Sequence, residues 1–368
     1  MELTQIDDYR QLFLHDVPMM DVRAPIEYEH GAFPHTINLP LMDDAERHDI
    51  GIRYKEQGQE QAIALGHELV SGDVKQARVN EWQSFTEKYP EGALYCFRGG
   101  MRSKISQQWI YEQTGTIYPR VKGGYKAMRR FLLDELETAV NSIKPVVISG
   151  RTGTGKTVLL QSLEHKIDLE QIYHHRGSVF GIHASPQPGQ IDVENLLAIQ
   201  LLKFRHHNVL QLAFEDESAN IGSRRIPENL YSLLKSSPLV VLEADIDERV
   251  EITFDEYITN ALREYRQLHG EMQGFTCWAD YLLASVDKIR KRLGGERHQQ
   301  LRLTMENAIN AHREKQDTQL HRKWIQTLLT EYYDPMYDYQ LSRKMDRVEF
   351  RGTQSELRHY LNETIGLR

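Results

Sequence analysis

The first third of the sequence contains one cysteine, followed closely by two glycines, two arginines and a serine: Tyr95-Cys96-Phe97-Arg98-Gly99-Gly100-Met101-Arg102-Ser103. Glycines at such a turn let successive backbone N–H groups point into one concavity, which suits an anion. The two arginines add positive charge, and the reactive form of a cysteine is the negatively charged thiolate. We therefore interpret Cys96 as a reactive cysteine, surrounded by the anion-binding residues Arg98, Gly99, Gly100 and Arg102. This interpretation requires the Cys96 side chain to face a cleft; the alternative is a buried structural cysteine.

A second glycine-rich stretch lies near the middle of the chain: Gly150-Arg151-Thr152-Gly153-Thr154-Gly155-Lys156-Thr157. It fits the pattern G-x-x-x-x-G-K-[ST], in which backbone N–H groups wrap a phosphate chain. Lys156 supplies a point charge, and Thr157 offers a hydroxyl to a magnesium ion. The pattern requires a preceding strand and a following helix, and the apolar runs at 146–149 and 158–163 predict both. We predict that all eight residues form a phosphate-binding loop, with Mg²⁺ at Thr157.

Acidic residues close a further predicted strand at 209–214. Such residues beside a phosphate loop commonly order magnesium, directly or through water. We predict this role for Asp216 and Glu217. Arg224 follows shortly after, and we predict that it faces the phosphates; the alternative is a solvated charge pair with Arg225.

The composition is that of an ordinary soluble globular protein, with 368 residues, 40% hydrophobic and 27% charged. Only two cysteines are present, Cys96 and Cys277, which excludes a disulfide framework and a multi-cysteine metal site. No apolar run approaches membrane-spanning length, and the acidic N-terminus lacks a signal-peptide pattern. We expect a cytoplasmic protein with no membrane association. The net charge of −8 argues against a uniformly basic nucleic-acid binder, although a local basic face is compatible with it.

Short strands alternate with helices in the first part of the chain, which predicts a parallel sheet. Several motifs there occur in the order found in rhodanese domains, which these residues resemble over about 5–130: Asp21-Val22-Arg23, Glu27-Tyr28-Glu29-His30-Gly31, Ile37-Asn38-Leu39-Pro40, the cysteine stretch and Val121-Lys122-Gly123-Gly124-Tyr125. The resemblance implies that the loop cysteine carries sulfur or selenium as a persulfide-type adduct. The chain departs from many relatives at Pro34-His35-Thr36, remote from the cysteine. A polar insert at 43–75 has three open interpretations: a lid, a partner surface or simple elaboration.

The patterns predict an α/β protein divided into four segments: a rhodanese-like parallel-sheet domain (1–130), a linker helix (131–143), a P-loop α/β domain (144–254) and a mainly helical C-terminal region (255–368). The last segment contains a stretch rich in lysine and arginine at 286–324, close to Trp278, Tyr281 and Trp324. A basic stretch with nearby aromatic residues is a reasonable footprint for an RNA backbone. The alternative is a solvated charged face.

The tandem of the two glycine-rich loops resembles the family of bacterial tRNA 2-selenouridine synthases over essentially the full length. The stretch from Glu215 to Gly222 and the element Tyr333-Asp334-Pro335-Met336-Tyr337 share in the resemblance. It implies a transferase that first attaches a geranyl group from geranyl diphosphate to the sulfur of a wobble 2-thiouridine. Selenophosphate then delivers selenium, and geranyl thiol leaves. The implied partners are tRNA, through its anticodon region, and an enzyme that supplies selenophosphate.

In this scheme the phosphate loop holds the diphosphate leaving group, where Lys156 and magnesium neutralise its charge. Cys96 accepts or relays selenium, with Arg98 and Arg102 holding the selenophosphate or phosphate anion. Two other functions remain open. One is a nucleotide-dependent kinase or ATPase with a sulfur-sensing rhodanese domain, and the other is an RNA-binding sulfur-carrier scaffold.

Overall fold

The computed structural model of the protein describes residues 4–364 and residue 366. Its strands, in chain order, are β1 (Gln5–Ile6), β2 (Met19–Asp21), β3 (Thr36–Asn38), β4 (Ala93–Tyr95), β5 (Arg120–Val121), β6 (Lys144–Gly150), β7 (Lys166–Ile167), β8 (Gln211–Glu215), β9 (Asn220–Ile221), β10 (Arg224–Arg225), β11 (Leu239–Leu242) and β12 (Val348–Gly352).

Helices make up most of the remaining chain. They are α1 (Tyr9–Leu14), α2 (Pro25–Glu29), α3 (Asp44–Leu69), α4 (Gly72–Lys88), α5 (Met101–Thr114), α6 (Gly124–Val140), α7 (Lys156–Gln161), α8 (Leu169–Tyr173), α9 (Gln190–His206), α10 (Glu228–Ser236), α11 (Ile246–Phe254), α12 (Ala261–His269), α13 (Glu271–Lys288), α14 (Arg290–Leu293), α15 (Gly295–Lys315), α16 (Leu320–Leu328), α17 (Asp334–Ser342) and α18 (Gln354–His359). Wider π-helical turns occur at Asp255–Asn260, Leu329–Tyr333 and Tyr360–Thr364, and a 3₁₀ turn at Met345–Arg347.

The chain forms two compact units, of which the first comprises Met1–Asn141 and Gly189–His207. Its sheet has the strand order β1-β5-β4-β2-β3, and every neighbouring pair is parallel. β2 and β4 are buried throughout, as expected for central strands of a parallel sheet covered on both faces. The predicted parallel sheet of this part of the chain is confirmed.

The polar insert at 43–75 forms α3 and the start of α4, which pack on the core of the first unit. The indole N–H of Trp82, a fully buried residue of α4, donates to the Leu39 carbonyl at 3.0 Å. Arg78 on the same helix donates to the Leu41 carbonyl at 2.6 Å and pairs with Glu46 of α3 at 2.8 Å. These contacts anchor both helices of the insert to the unit.

Helix α9 lies in the first unit, although the sequence around it belongs to the second. Arg129 of α6 donates to Asn195 of α9 at 2.8 Å, and the Asn195 amide donates to the Ala32 carbonyl at 2.6 Å. Lys203 pairs with Asp16 at 2.5 Å. One helix of the predicted segment 144–254 therefore belongs to the other unit, because it packs on α6 and α1 and its polar side chains pair with Arg129, Ala32 and Asp16.

The second compact unit comprises Ser142–Pro188 and Asn208–Arg368. Its sheet has the order β12-β11-β6-β8-β7 with parallel neighbours, so that β6 lies at the centre. The edge strand β12 comes from the region predicted as mainly helical. The remainder of that region is helical and packs around Trp278 and Trp324, which are fully buried. An α/β protein with parallel sheets and a helical C-terminal region is confirmed. Among the helices of the described residues, none has the length and apolar character needed to cross a membrane.

Candidate functional site

The phosphate loop, residues 150–157, follows the central strand β6 and leads into α7. Gly153 and Gly155 both have φ of +81°, a left-handed conformation that favours glycine. A side chain at Gly153 would lie 2.5 Å from the Thr253 hydroxyl oxygen and 2.7 Å from the Arg249 carbonyl oxygen. Glycine is therefore required at this position by both conformation and space.

The Lys156 side chain turns back onto the first residues of the phosphate loop. Its Nζ donates to the carbonyl oxygens of Gly150 at 3.0 Å and Arg151 at 3.4 Å. The Thr157 hydroxyl donates to Oε2 of Glu170 at 3.1 Å. The predicted Lys156 and Thr157 thus lie beside the carboxyl group of Glu170, which no sequence motif predicts at this site.

Glu170 and Glu217 form a hydrogen-bonded carboxyl pair next to Lys156. Burial raises the pKa of Glu217 well above its ordinary value, and the neighbouring Glu170 raises it further. Burial also raises the pKa of Glu170, although Lys156 opposes this shift. Burial, assisted by Glu170, raises the pKa of Glu256 to about 7. The carboxyl groups on this side of the loop therefore bind a proton more readily than exposed carboxyl groups do.

Asp216, predicted to order magnesium, is already paired in the structure. The Ser149 hydroxyl donates to its Oδ2 at 2.7 Å, and Lys344 contacts Oδ1 at 2.7 Å and Oδ2 at 2.8 Å. The Tyr337 hydroxyl lies 3.2 Å from the Ser149 hydroxyl. Asp216 therefore connects the phosphate loop to the C-terminal segment of the chain. Two residues of that segment, Lys344 and Tyr337, belong to the site although the sequence did not predict them there.

Two arginine–aspartate pairs attach the phosphate loop to α17. Arg249, 2% exposed, donates to the Thr152 carbonyl at 3.0 Å and forms a two-bond pair with Asp334 at 2.6 and 3.0 Å. Arg151 pairs with Asp338 at 2.8 Å. The aspartates lie four residues apart, so they share one face of the helix. The Tyr-Asp-Pro-Met-Tyr-Asp run was the sequence signal for this attachment.

The phosphate loop opens onto a cavity of about 1010 Å³, the phosphate-loop cavity. Its walls include Lys156, Thr157, Glu170 and the predicted residues Asp216, Glu217 and Arg224. Apolar side chains form another part of the wall: Val179, Ile182, Ile252 and Met336.

Two predicted residues of the phosphate loop, Arg151 and Thr154, face a neighbouring cavity of about 850 Å³ instead. Arg224 donates from Nε to the Pro188 carbonyl at 2.6 Å, and Arg225 pairs with Glu228.

The glycine- and proline-punctuated loop from His174 to Pro188 lines the same cavity through several residues, among them His175, Arg176 and Gln187. Burial lowers the pKa of His175 to about 4. Within residues 4–364 and residue 366, no group of three or more histidine, cysteine or acidic side chains has the arrangement of a metal site.

The cysteine loop, residues 96–100, follows the central strand β4 of the first unit and precedes α5. Residues outside the loop donate to its carbonyl oxygens. The Tyr125 N–H donates to the Cys96 carbonyl, and the Lys126 N–H donates to the Phe97 carbonyl, both at 2.9 Å. The Gly99 carbonyl accepts from Arg120 at 2.7 Å. Among the described residues, no acceptor contacts the N–H groups of residues 97–100. Within the described part of the chain, no acceptor therefore competes with an anion for these amides, which the predicted anion site requires.

The Cys96 side chain is 2% exposed, so it lies below the surface of the loop. Its Sγ lies 3.2 Å from the Ser103 hydroxyl, at the start of α5. Its neighbours Arg98, Gly100 and Arg102 line a cavity of the first unit, whereas Cys96 does not. The requirement that the Cys96 side chain face a cleft is therefore not met in this structure, although the loop that begins at Cys96 borders one.

The two arginines of the cysteine stretch differ in their surroundings. Arg102 is paired with Glu27 at 2.5 Å, and Arg47 also contacts this carboxylate. Although burial acts in the opposite direction, these guanidinium groups hold the pKa of Glu27 below its ordinary value. Arg98 is exposed and has no acidic partner among the described residues. Free positive charge at the loop therefore comes from Arg98, while Glu27 fixes the position of Arg102.

The basic stretch at 286–324 is only partly the surface that the sequence predicts. Trp278 and Trp324 are fully buried, so neither of these aromatic side chains belongs to the predicted RNA footprint. Arg302 pairs with Asp287, and Arg322 pairs with Glu251. Lys288 and Arg292 line the phosphate-loop cavity.

Comparison with known proteins places the chain in a family. The family described as tRNA 2-selenouridine synthase AAA domain matches residues 143–366. A protein of Marinobacter nauticus named tRNA 2-selenouridine synthase is 51% identical over 94% of both chains. Proteins of the same name from Pseudomonas syringae pv. syringae and Bordetella bronchiseptica are 51% identical over 97% and 96% of both chains, respectively. The chain belongs to the tRNA 2-selenouridine synthase family.

Proposed function

We propose that this protein converts 2-thiouridine of tRNA into 2-selenouridine in two steps, using geranyl diphosphate and then selenophosphate. Family membership supports the overall conversion. One observation carries the division into steps: Lys156 and the phosphate loop open onto a cavity that also has apolar walls. Such a cavity suits a ligand with a diphosphate head and a hydrocarbon tail, and its volume of about 1010 Å³ leaves space for both.

In the first step the sulfur of 2-thiouridine attacks C1 of geranyl diphosphate. A C–S bond forms, the C–O bond breaks, diphosphate leaves with the electron pair, and the base loses its N3 proton. Lys156 and the loop amides stabilise the charge that builds on the departing diphosphate. Val179, Ile182 and Ile252 would contact the geranyl chain.

A magnesium ion fits the oxygen groups at the head of the cavity. Thr157 and Glu170 would hold it, together with the diphosphate, and the ion would neutralise charge on the leaving group. The fit rests on the oxygen atoms that adjoin one another there: the Thr157 hydroxyl lies 3.1 Å from Oε2 of Glu170, and Glu170 is hydrogen-bonded to Glu217.

In the second step the amides of the cysteine loop and Arg98 hold selenophosphate. Selenium bonds to C2 of the base, the C–S bond breaks, geranyl thiol leaves with a proton, and water converts the remaining phosphoryl group into phosphate. Cys96 is the first residue of this loop, and its thiolate takes the phosphoryl group from selenium: a P–S bond forms, the P–Se bond breaks, and water then releases the group from sulfur as phosphate. Because its side chain is buried, the loop must open locally for the thiol to reach the anion.

The first step is tested by the binding of geranyl diphosphate to the full-length protein. We expect Lys156→Ala to weaken binding by about 100-fold, since a charged contact to the diphosphate is lost. Lys235→Ala is the control, because Lys235 lies on α10 outside the cavity. Equal binding by the two variants would contradict the proposal. Tight binding of ATP, with hydrolysis in the absence of tRNA, would favour the kinase or ATPase instead.

A further inference from the structure

The cavity of the first unit that Arg98, Gly100 and Arg102 line has a volume of about 470 Å³. The proposed function assigns no ligand to it. We call it the apolar pocket. Its walls are formed mainly by Leu41, Met42, Ile50, Ala62, Ile63 and Trp109. The polar residues Gln59, His67 and Arg98 also line it, and their side chains are exposed. The volume lies within the range of small-ligand sites, about 300–1,000 Å³.

The insert helix α3 builds much of the apolar pocket. This helix is interrupted at Gly58, which has φ of +82° and ψ of −175°. Ile50 and Tyr54 come from the arm before the interruption, and Ala62 and Ile63 come from the arm after it. The glycine therefore allows one insert to supply two walls. A cavity of this size, enclosed by the insert, favours a binding role for the insert over simple elaboration of the surface.

The apolar pocket borders the cysteine loop. Arg98, Gly100 and Arg102 line it, and the amides of residues 97–100 make no hydrogen bond to an acceptor within the described part of the chain. A site for an anion and a site for an apolar group thus adjoin one another. The second step of the proposed function needs this combination, because selenophosphate must meet a base that carries a geranyl chain.

We propose that the apolar pocket binds the geranyl chain of S-geranylated 2-thiouridine and thereby holds C2 of the base at the cysteine loop. This inference rests on the proposed function and assigns a role to the insert at 43–75. Burying the chain removes apolar surface from water, which contributes about 25 cal/mol per Å². Binding energy from this remote group would position the reacting carbon. A nucleobase suits the pocket less well, because its polar edges would face apolar walls.

Binding of geranyl thiol to the full-length protein tests the inference without any chemistry. Ala62 is 5% exposed and lines the apolar pocket, so Ala62→Phe fills it. Ala64→Phe is the matched control, because Ala64 is an exposed residue of the same helix. We expect Ala62→Phe to weaken binding by at least about tenfold and Ala64→Phe to leave it unchanged. Equal affinity of the two variants, or no binding to the unmodified protein, would overturn the inference.

A second variant keeps the test decisive if Ala62→Phe misfolds. Ile63→Ala enlarges the pocket, and we expect it to increase the affinity of the longer farnesyl thiol relative to geranyl thiol by about fivefold. An unchanged ratio would overturn the inference. Failure of the proposed function would be seen separately, as the absence of geranyl transfer from geranyl diphosphate to 2-thiouridine tRNA by the unmodified protein.

Discussion

Three glutamate carboxyl groups with raised pKa values line the phosphate-loop cavity. Burial raises the pKa of Glu170, Glu217 and Glu256, and the neighbouring Glu170 raises the pKa of Glu217 and Glu256 further. The sequence predicts Glu217 at the site, since it follows a strand beside the phosphate loop. Glu170 and Glu256 lie on α8 and on the π-helical turn after α11, and no local pattern relates them to the loop. Only the tertiary fold reveals their proximity.

Glu256→Gln should change how stability depends on pH. In the unfolded chain Glu256 ionises near its ordinary pKa of 4.5, whereas in the folded protein it keeps its proton until pH about 7. The unfolding free energy of the unmodified protein therefore falls as pH rises between these values. We expect the variant to be more stable than the unmodified protein at about pH 8, by roughly 1–3 kcal/mol, and to show no such gain at about pH 4.5.

Chemical denaturation at the two pH values measures this difference. Glu314→Gln is a suitable control, because Glu314 is exposed on α15. If Glu256→Gln changed stability equally at both pH values, the proposed protonation of Glu256 would be wrong.

At the scale of elements, the two glycine-rich loops occupy equivalent positions in their sheets. Each follows the central strand of a parallel sheet, where β4 leads to the cysteine loop and β6 to the phosphate loop. The cysteine loop packs closely on the turn after β5: a side chain at Gly99 would lie 2.6 Å from the Gly123 nitrogen. Both loops are therefore held by neighbouring backbone, which keeps their amides in place for an anion.

Gly153→Ala tests how strictly the phosphate loop depends on its glycines. The left-handed φ and the close oxygens of Thr253 and Arg249 predict a destabilisation of roughly 1–3 kcal/mol. We expect weaker binding of geranyl diphosphate as well. Gly295→Ala is the control, because a side chain there meets nothing within 4 Å. Thermal unfolding of both variants measures the effect, and equal stability of the two would refute this explanation.

Sequence patterns predicted the loops and the central strands well because these elements are specified locally. The apolar runs at 146–149 and 209–214 correspond to β6 (Lys144–Gly150) and β8 (Gln211–Glu215), close to their observed bounds. The edge strand β12 was missed, although Val-Glu-Phe-Arg-Gly alternates between partly buried and exposed side chains. Its strand character depends on pairing with β11, a contact between residues more than one hundred positions apart.

At the scale of the whole molecule, chain order and spatial order differ. Neither unit is one continuous segment, because α9 belongs to the first unit although the chain on both sides of it belongs to the second. Strand β12, far along the chain, pairs with β11 at the edge of the second sheet. Composition and periodicity cannot indicate such exchanges, because the partners are distant in sequence. The buried tryptophans at 278 and 324 show the same limit, since a helix face rich in arginine and aromatic residues fits both a core and an RNA surface.

The central claim is that two anion sites in one chain act in turn on one base. It is tested most directly by quantifying the modified nucleosides of 2-thiouridine tRNA after reaction with geranyl diphosphate and selenophosphate. We expect Cys96→Ala to accumulate S-geranyl-2-thiouridine with little 2-selenouridine, and Cys277→Ala to behave as the unmodified protein. We expect Lys156→Ala to leave 2-thiouridine unreacted, with geranyl transfer slowed by about 100-fold. Geranyl transfer lost in Cys96→Ala and retained in Lys156→Ala would contradict the account.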